Sequence, residues 1–314
     1  MIPYISPITG NPLITEGNLL INDQGESYPI IKEIPRFVTE DNYAAAFGHQ
    51  WKTFANIQID SKNGTSITRE RVERCLGFPI SDLKGKTLLE VGCGAGRFTE
   101  LLVEGLALVH AIDLSVAVEV NKEIVGEKFN YQVAQASVYE IPYPAASFDI
   151  VFCLGVIQHT PNTEKTIESL WNMVKPGGIM VIDHYIWRIG YYSTLTPLYR
   201  GWLKRLKPQK SMPIVKNLVN FFFPIHWKLK DKGIINWLAH RISPLIVYIK
   251  EFPEKDYKFH YDLSQLDTYD QLTDYYKHLR TPNQIRKTLE DLGATNIWIN
   301  KGGNGIEARC SKIK

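Results

Sequence analysis

Three observations predict an α/β fold built around a parallel sheet. An apolar run, Thr87–Val91, breaks abruptly into glycines at Gly92, Gly94 and Gly96. Near-continuous apolar residues suit a strand covered on both faces, and the glycines let the backbone turn sharply and approach a ligand closely. A second apolar run, Leu108–Ile112, closes on Asp113. Strand-like and helix-like stretches then alternate as far as Ile182, the pattern of βαβ units. Open sheets of this kind bind ligands outside the carboxyl ends of their strands, so the turn at 92–96 is where function is expected.

Taken in order, residues 1–38 hold short apolar runs between turn formers and predict a small β-rich leader. Residues 44–54, AAAFGHQWKTF, have the spacing of an amphipathic helix. After the glycine turn, Phe98 to Glu104 reads as the first helix of the sheet, Leu108–Ile112 as the second strand and Tyr131 to Ala134 as the third. Ser147–Cys153 opens the fourth, and Leu154-Gly155-Val156-Ile157-Gln158-His159 follows it. A helix from Glu164 to Val174 is expected to stop at Lys175-Pro176-Gly177-Gly178, since a basic last turn with proline and glycine beyond it ends helices. The fifth strand, Ile179–Ile182, then delivers Asp183, His184 and Tyr185 at its carboxyl end. Thr281, Pro282 and Gly293 bracket a final helix as N-cap, first-turn proline and closing glycine. A hairpin from Thr295 to Cys310 follows.

The chain has 314 residues, enough for one large α/β domain with appendages or for two domains. Its four cysteines are scattered, without a C-x-x-C pair or a secretory leader, which favours free thiols in a cytoplasmic setting. No run of about 18 apolar residues is present, so no membrane span is expected. The net charge of +3 conceals an asymmetry. Between Trp187 and Lys250 there are twelve Lys and Arg against one acid, Asp231, a balance of +11 that leaves −8 for the rest. Such segregation fits contact with something anionic, or a solvated basic face of helices. A nucleic-acid role is not expected, because no helix-turn-helix or aromatic RNA-binding signature is visible.

Glycine turns of this kind serve two chemistries. A dinucleotide fold needs G-x-G-x-x-G or -A, but Arg97 stands at the third small position and the third glycine falls one residue early. The resulting Glu90-x-Gly92-x-Gly94-x-Gly96 resembles the first motif of class I S-adenosylmethionine-dependent methyltransferases, in which the turn faces the amino-acid part of the cofactor. The stretch from Ala136 through Ile141-Pro142-Tyr143-Pro144 to Ser147-Phe148-Asp149 is similar to that family's series in register. It departs at Ser137, where the family usually has an aspartate for the adenine amino group. The resemblance implies a Rossmann-like sheet of seven mostly parallel strands with an antiparallel last strand, and S-adenosylmethionine as cofactor with S-adenosylhomocysteine as product. It implies cofactor contacts at Glu90, Gly92, Cys93, Gly94, Gly96, Asp113, Leu114, Ala136, Ser137, Val138 and Leu154. Asp113 by itself does not separate this cofactor from NAD, since either ribose takes an acid there.

The resemblance extends beyond the core. Residues 44–54 with Gln58-Ile59-Asp60-Ser61 resemble a lid preamble of a small-molecule subset, which assigns Gln50 and Trp51 to the cofactor or, equally, to a helical core. Arg71 is either a partner for the cofactor carboxylate or a solvated helix residue. Gln265-Leu266-Asp267-Thr268-Tyr269-Asp270 resembles a tail motif of the same subset. The leader resembles a zinc-ribbon-like module, but Ser6 and Thr9 stand where two thiolates would be. No metal site is therefore expected, and apolar packing alone should hold the leader. The implied organisation is a leader over 1–40, a lid preamble over 41–85, a cofactor-binding core over 86–185, a basic and aromatic insertion capping the acceptor over 186–280, and the closing helix and hairpin over 281–314.

The expected activity is methyl transfer to a small metabolite or to a sugar- or lipid-linked acceptor. The rival reading is a non-catalytic relative that serves as a cofactor-binding or partner subunit. His159 and His184 alone among the eight histidines follow directly on predicted strands and are the candidate general bases; Tyr185 and Asp183 would orient them or the acceptor. Peripheral membrane contact through the insertion is a further expectation, with Lys204, Arg205, Lys207 and Lys210 supplying charge and Phe221–Phe223 apolar insertion.

Overall fold

Strand β5, Thr87–Val91, buries Leu89 and Val91 in one apolar cluster and Leu88 in another, as a strand covered on both faces must. The computed structural model describes residues 1–39, 42–44, 58–189 and 194–314. Around β5 it builds a seven-stranded sheet from β6 (Leu108–Asp113), β7 (Tyr131–Gln135), β8 (Phe148–Cys153), β9 (Val174–Tyr185), β10 (Thr295–Asn300) and β11 (Gly305–Ser311). The order is β10-β11-β9-β8-β5-β6-β7. Pairs β5–β6, β5–β8, β6–β7 and β8–β9 are parallel, while β11 runs antiparallel to both β9 and β10. This is the Rossmann-like arrangement expected, reversed last strand included.

Helices α3 (Thr99–Glu104), α4 (Val118–Val125), α5 (Thr163–Met173) and α10 (Pro282–Asp291) belong to this core, with α1 (Asp60–Asn63) and α2 (Ile67–Leu76) preceding it. One boundary differs from expectation. Val174 is already extended after α5, and β9 runs twelve residues through Lys175–Gly178. The reason is tertiary: Gly177 donates its amide to the Lys312 carbonyl at 3.0 Å and Lys312 donates to Gly178 at 2.9 Å, so the glycines extend the sheet where a cap was expected.

The leader folds as a four-stranded antiparallel sheet, β1 (Ile14–Glu16), β2 (Leu19–Ile21), β3 (Ser27–Ile31) and β4 (Ile34–Pro35). Apolar packing is not its whole support. Ser6, fully buried, accepts the amides of Ile8 at 3.2 Å and Thr9 at 3.1 Å, the turn-forming use of a serine hydroxyl. Thr9 Oγ1 donates to Glu26 Oε2 at 2.6 Å, and the same oxygen accepts from Asn22 Nδ2. Ser6 and Thr9 thus belong to a hydrogen-bonded knuckle. The leader lies along β7: Phe37 donates its amide to the Gln135 carbonyl at 2.8 Å, and buried Arg36 reaches Gln135 Oε1 at 3.1 Å and Glu119 Oε1 at 2.9 Å.

A second compact unit contains 188–275. That unit holds α6 (Thr196–Leu203), α7 (Pro208–Leu229), α8 (Gly233–Ile242) and α9 (Tyr257–Thr273). Its own apolar core gathers Leu203, Val215, Val219, Phe223, Leu245, Tyr269 and Leu272. Phe223 is therefore spent on packing; of Phe221–Phe223 only Phe221 is exposed, so the three do not form one insertable patch. Gln58 also belongs to this unit, donating to Asp267 at 3.2 Å and so tying the two motifs that share the family resemblance.

Candidate functional site

Gly92, Gly94 and Gly96 all have positive φ, at 77°, 49° and 97°, which L side chains adopt with strain. At Gly92 space is also decisive, because a Cβ would lie 2.0 Å from Val156 Cγ2, so the turn sits directly against the segment that follows β8. Gly92 and Cys93 donate their amides to the Ile112 carbonyl at 2.7 and 3.1 Å, and Gly94 donates to Asp113 Oδ2 at 2.9 Å. Asp113 Oδ1 accepts both the amide and the hydroxyl of Ser115, each at 2.7 Å. Burial raises the Asp113 pKa, with the bonds from Ser115 and Gly94 opposing it. Two carboxylate oxygens offer about four acceptor positions, so three are taken by the loop and capacity for a ligand remains.

Glu90 lies at the carboxyl end of β5, two residues before the turn, 1 % exposed and with neither oxygen bonded to another group. Burial raises its pKa to about 8, offset in part by the nearby Thr99 hydroxyl and reinforced by the charge of Asp113. A carboxylate this deep is unfavourable unless a partner arrives. Beside the turn, Leu114 accepts Gln135 Nε2 at 3.0 Å, Ala136 donates its amide to the Asp113 carbonyl at 2.9 Å, and Ser137 Oγ accepts the Tyr139 amide at 3.1 Å. Val138 and Leu154 are buried, in different apolar clusters. The structure therefore joins the glycine turn, Asp113 and the Ala136 backbone through direct hydrogen bonds, with Glu90 two residues before the turn and unbonded. Gln50 and Trp51 lie outside the described residues.

Arg71 departs from the solvated reading. It is buried, with Nη2 2.5 Å from Asp183 Oδ2 and Nε 3.3 Å from Glu307 Oε1. Arg74 closes on Glu307 at 2.8 and 2.9 Å, and Asp183 also accepts Gly155 N at 2.6 Å and Asn304 Nδ2 at 3.0 Å. Burial pushes the Asp183 pKa up against the pull of Arg71; at Glu307 burial likewise raises it, but Arg74 and Arg71 prevail and the net direction is down. The cluster locks the carboxyl end of β9 to the loop after β8 and to β11. Because Arg71 already serves two carboxylates, it reads first as a brace. Glu307, Arg74 and Asn304 are absent from the motif reading; they come from sequence positions far from 183 and have no local signature.

Residues 89–182 match the family described as methyltransferase domain. These residues thus form a methyltransferase domain. Among curated relatives, the ubiquinone biosynthesis O-methyltransferase of Azoarcus sp. (strain BH72) is 32 % identical over 125 residues, 38 % of this chain and 49 % of the relative. Phosphoethanolamine N-methyltransferase 2 of Caenorhabditis elegans is 35 % identical over 107 residues, 32 % of this chain and 24 % of the relative. The chain thus spans about half or less of the length of these relatives. Of the solved structures, human N-acetylserotonin methyltransferase in complex with SAM has a TM-score of 0.48 at 13 % identity, covering 88 % of this chain and 61 % of that one.

Beyond its glycine turn, the methyltransferase domain places the candidate bases differently from one another. His184, inside β9, is buried with Nδ1 3.0 Å from the Tyr185 carbonyl and Nε2 3.3 Å from Thr163 Oγ1, and burial lowers its pKa to about 4. Both nitrogens are engaged, so the position expected to face a ligand is a packed one. His159 ends a short 3₁₀ turn after β8; its Nδ1 is 3.3 Å from the Tyr276 carbonyl and its ring meets Tyr185 edge-on at 5.2 Å. Between Ile157 and His159, Gln158 is fully buried with neither amide atom hydrogen-bonded. Gln158 was legible only as part of the run after β8, and nothing in that run marks its orphaned amide.

Proposed function

We propose that this chain is an S-adenosylmethionine-dependent methyltransferase acting on a small-molecule acceptor, free or carried on a sugar or lipid. The observation that carries the reading is Glu90, a buried carboxylate without a partner two residues before a turn that donates to Asp113. Such a site is completed by a ligand with a cationic group and a diol, which the cofactor has. Relatives named for an O-methyltransferase and for an N-methyltransferase support a small acceptor without choosing its atom.

S-adenosylmethionine supplies a methyl group on a sulfonium. The residues of the chain bind and orient. The turn Gly92–Gly96 would hold the amino-acid part against its backbone, and Glu90 would receive the ammonium. Asp113, fixed by Gly94 and Ser115, would accept from the ribose hydroxyls, and Leu114, Ala136, Ser137, Val138 and Leu154 would supply the contacts to the nucleobase. Holding acceptor and methyl at near-attack distance is the main task of such a site. For a hydroxyl acceptor, His159 is the base: the Tyr276 carbonyl holds the proton at Nδ1, so Nε2 is the basic nitrogen. Asp183 and Tyr185 act as positioning residues, the first through Gly155 and the second through its ring contact with His159.

Calorimetric titration with S-adenosylhomocysteine tests the cofactor site. One-site binding is expected, weakened in Asp113→Ala by about 1 to 3 kcal/mol and abolished in Gly94→Val. Wild-type affinity in both variants would place the site elsewhere. With an acceptor in hand, His159→Ala should lower turnover and leave that titration unchanged; full turnover in this variant removes the base.

A further inference from the structure

Helix α8, Gly233–Ile242, is amphipathic in the wrong sense for a helix of a packed domain. Ile234, Ile235, Trp237, Leu238 and Ile242 are all at least half exposed, Ile234 reaching 78 %. At 100° per residue these five, with Arg241, fall on one continuous arc. The opposite arc carries Asn236 and His240, and it is this polar side that faces protein. Asn236 is buried with Oδ1 3.4 Å from His226 Nδ1, and the His226 and His240 rings lie 4.3 Å apart. Polar pairing therefore seats the helix and its apolar face is presented outward. Leu195, whose amide donates to the Arg241 carbonyl at 3.0 Å, is itself exposed beside the end of the helix.

The charge on this surface says what covers it. Lys230 and Lys232 precede the helix, and the Arg241 guanidinium lies 4.3 Å over the Trp237 ring. They belong to a segment with twelve Lys and Arg against one acid. A second copy of this chain would bring like charge against like, since a two-fold interface apposes the same patch. An anionic bilayer surface offers the opposite charge at its headgroups and an apolar layer just beneath, where a helix rich in Trp, Ile and Leu with flanking cations lies in the interface plane. Among the described residues no helix is long and apolar enough to cross a membrane, so the mode is surface docking.

We propose that the outward apolar face of α8, rimmed by Lys230, Lys232 and Arg241, docks the protein on an anionic lipid surface. The inference stands apart from methyl transfer, and its test needs no substrate. The full chain is floated with vesicles of phosphatidylcholine alone and of phosphatidylcholine with phosphatidylserine, at low and high salt. Binding to the anionic vesicles is expected, falling about tenfold or more at high salt as surface charge is screened. Ile234→Asn with Leu238→Asn should abolish it without changing the thermal melt, because neither side chain is packed. Lys230→Gln and Lys232→Gln should each weaken it by roughly fivefold. Absence of binding to either vesicle, or binding indifferent to the α8 variants, overturns the proposal. So does a dimer in sedimentation equilibrium that the same variants disperse, which would assign the face to a second copy.

Discussion

The core and the insertion each break the rule of apolar inside and polar outside, in opposite directions. In the core the exception is one carboxylate set too deep: Glu90 is buried without a partner at the carboxyl end of β5. In the insertion it is an apolar face set too shallow on α8. α10, as long as α8, obeys the rule: it buries Ile285 and Leu289 and turns Lys287 and Asp291 outward. The comparison teaches that a local misfit is informative in proportion to how well its surroundings fit. It also sets an expectation: removing a misfit should leave or raise stability while removing an interaction, whereas cutting a fitted element should only destabilise.

The largest effect belongs to a fitted element. Asp183→Ala leaves Arg71 buried beside Glu307 alone, and urea unfolding should show a loss of about 3 to 5 kcal/mol. A loss below about 1 kcal/mol would mean the cluster does not brace the site. Glu90→Gln should do the reverse. Its folded pKa, about 8, stands above the ordinary 4.5, so the wild type keeps this contribution below pH 4.5 and loses it as pH rises through 8. The glutamine variant escapes that loss and should be more stable than wild type by about 1 to 3 kcal/mol at alkaline pH. It should also bind S-adenosylhomocysteine at least about tenfold more weakly, and wild-type affinity should climb with pH through 8. A variant less stable than wild type at alkaline pH would show that Glu90 is not a misfit.

Smaller effects separate the two ten-residue helices. Thr281 and Gln284 cap each other at the start of α10, so Thr281→Ala should cost about 1 kcal/mol by thermal unfolding. Leu238→Asn in α8 should shift stability by no more than about 0.5 kcal/mol, as a surface change does. If Leu238→Asn costs as much as the lost cap, the α8 face is packed against something and is no docking surface.

Much of the core was legible because its signals are local. Glycine spacing, the acid that ends β6 and the capped final helix each lie within a few residues of the structure they specify. The brace was not, because Arg71, Asp183 and Glu307 meet only once three distant elements are assembled, and a lone arginine on a helix reads as solvated. Periodicity could not have oriented α8: a 3.6-residue pattern has no sign, and only the buried Asn236 and His226 pair supplies one. Phe221–Phe223 misleads for a related reason, since adjacent residues on a helix point in different directions and one of the three fills the core. In the leader, hydroxyl and amide groups can close a knuckle as sulfur does, and composition does not reveal that geometry.

The lie of the leader along β7 has a consequence for the protein in concentrated solution. β7 is the outermost strand on its side of the sheet, and an uncovered outer strand is a template for pairing with other chains. Phe37 occupies one of its outward hydrogen-bonding positions, Gln132 Nε2 is held by the Ile2 carbonyl at 3.0 Å, and the Tyr4 hydroxyl reaches the Val133 carbonyl at 3.4 Å. The small domain is thus a selvedge on the sheet, a finished margin against aggregation. A chain trimmed of this segment would have a frayed border, and turbidity that grows with protein concentration would be its signature.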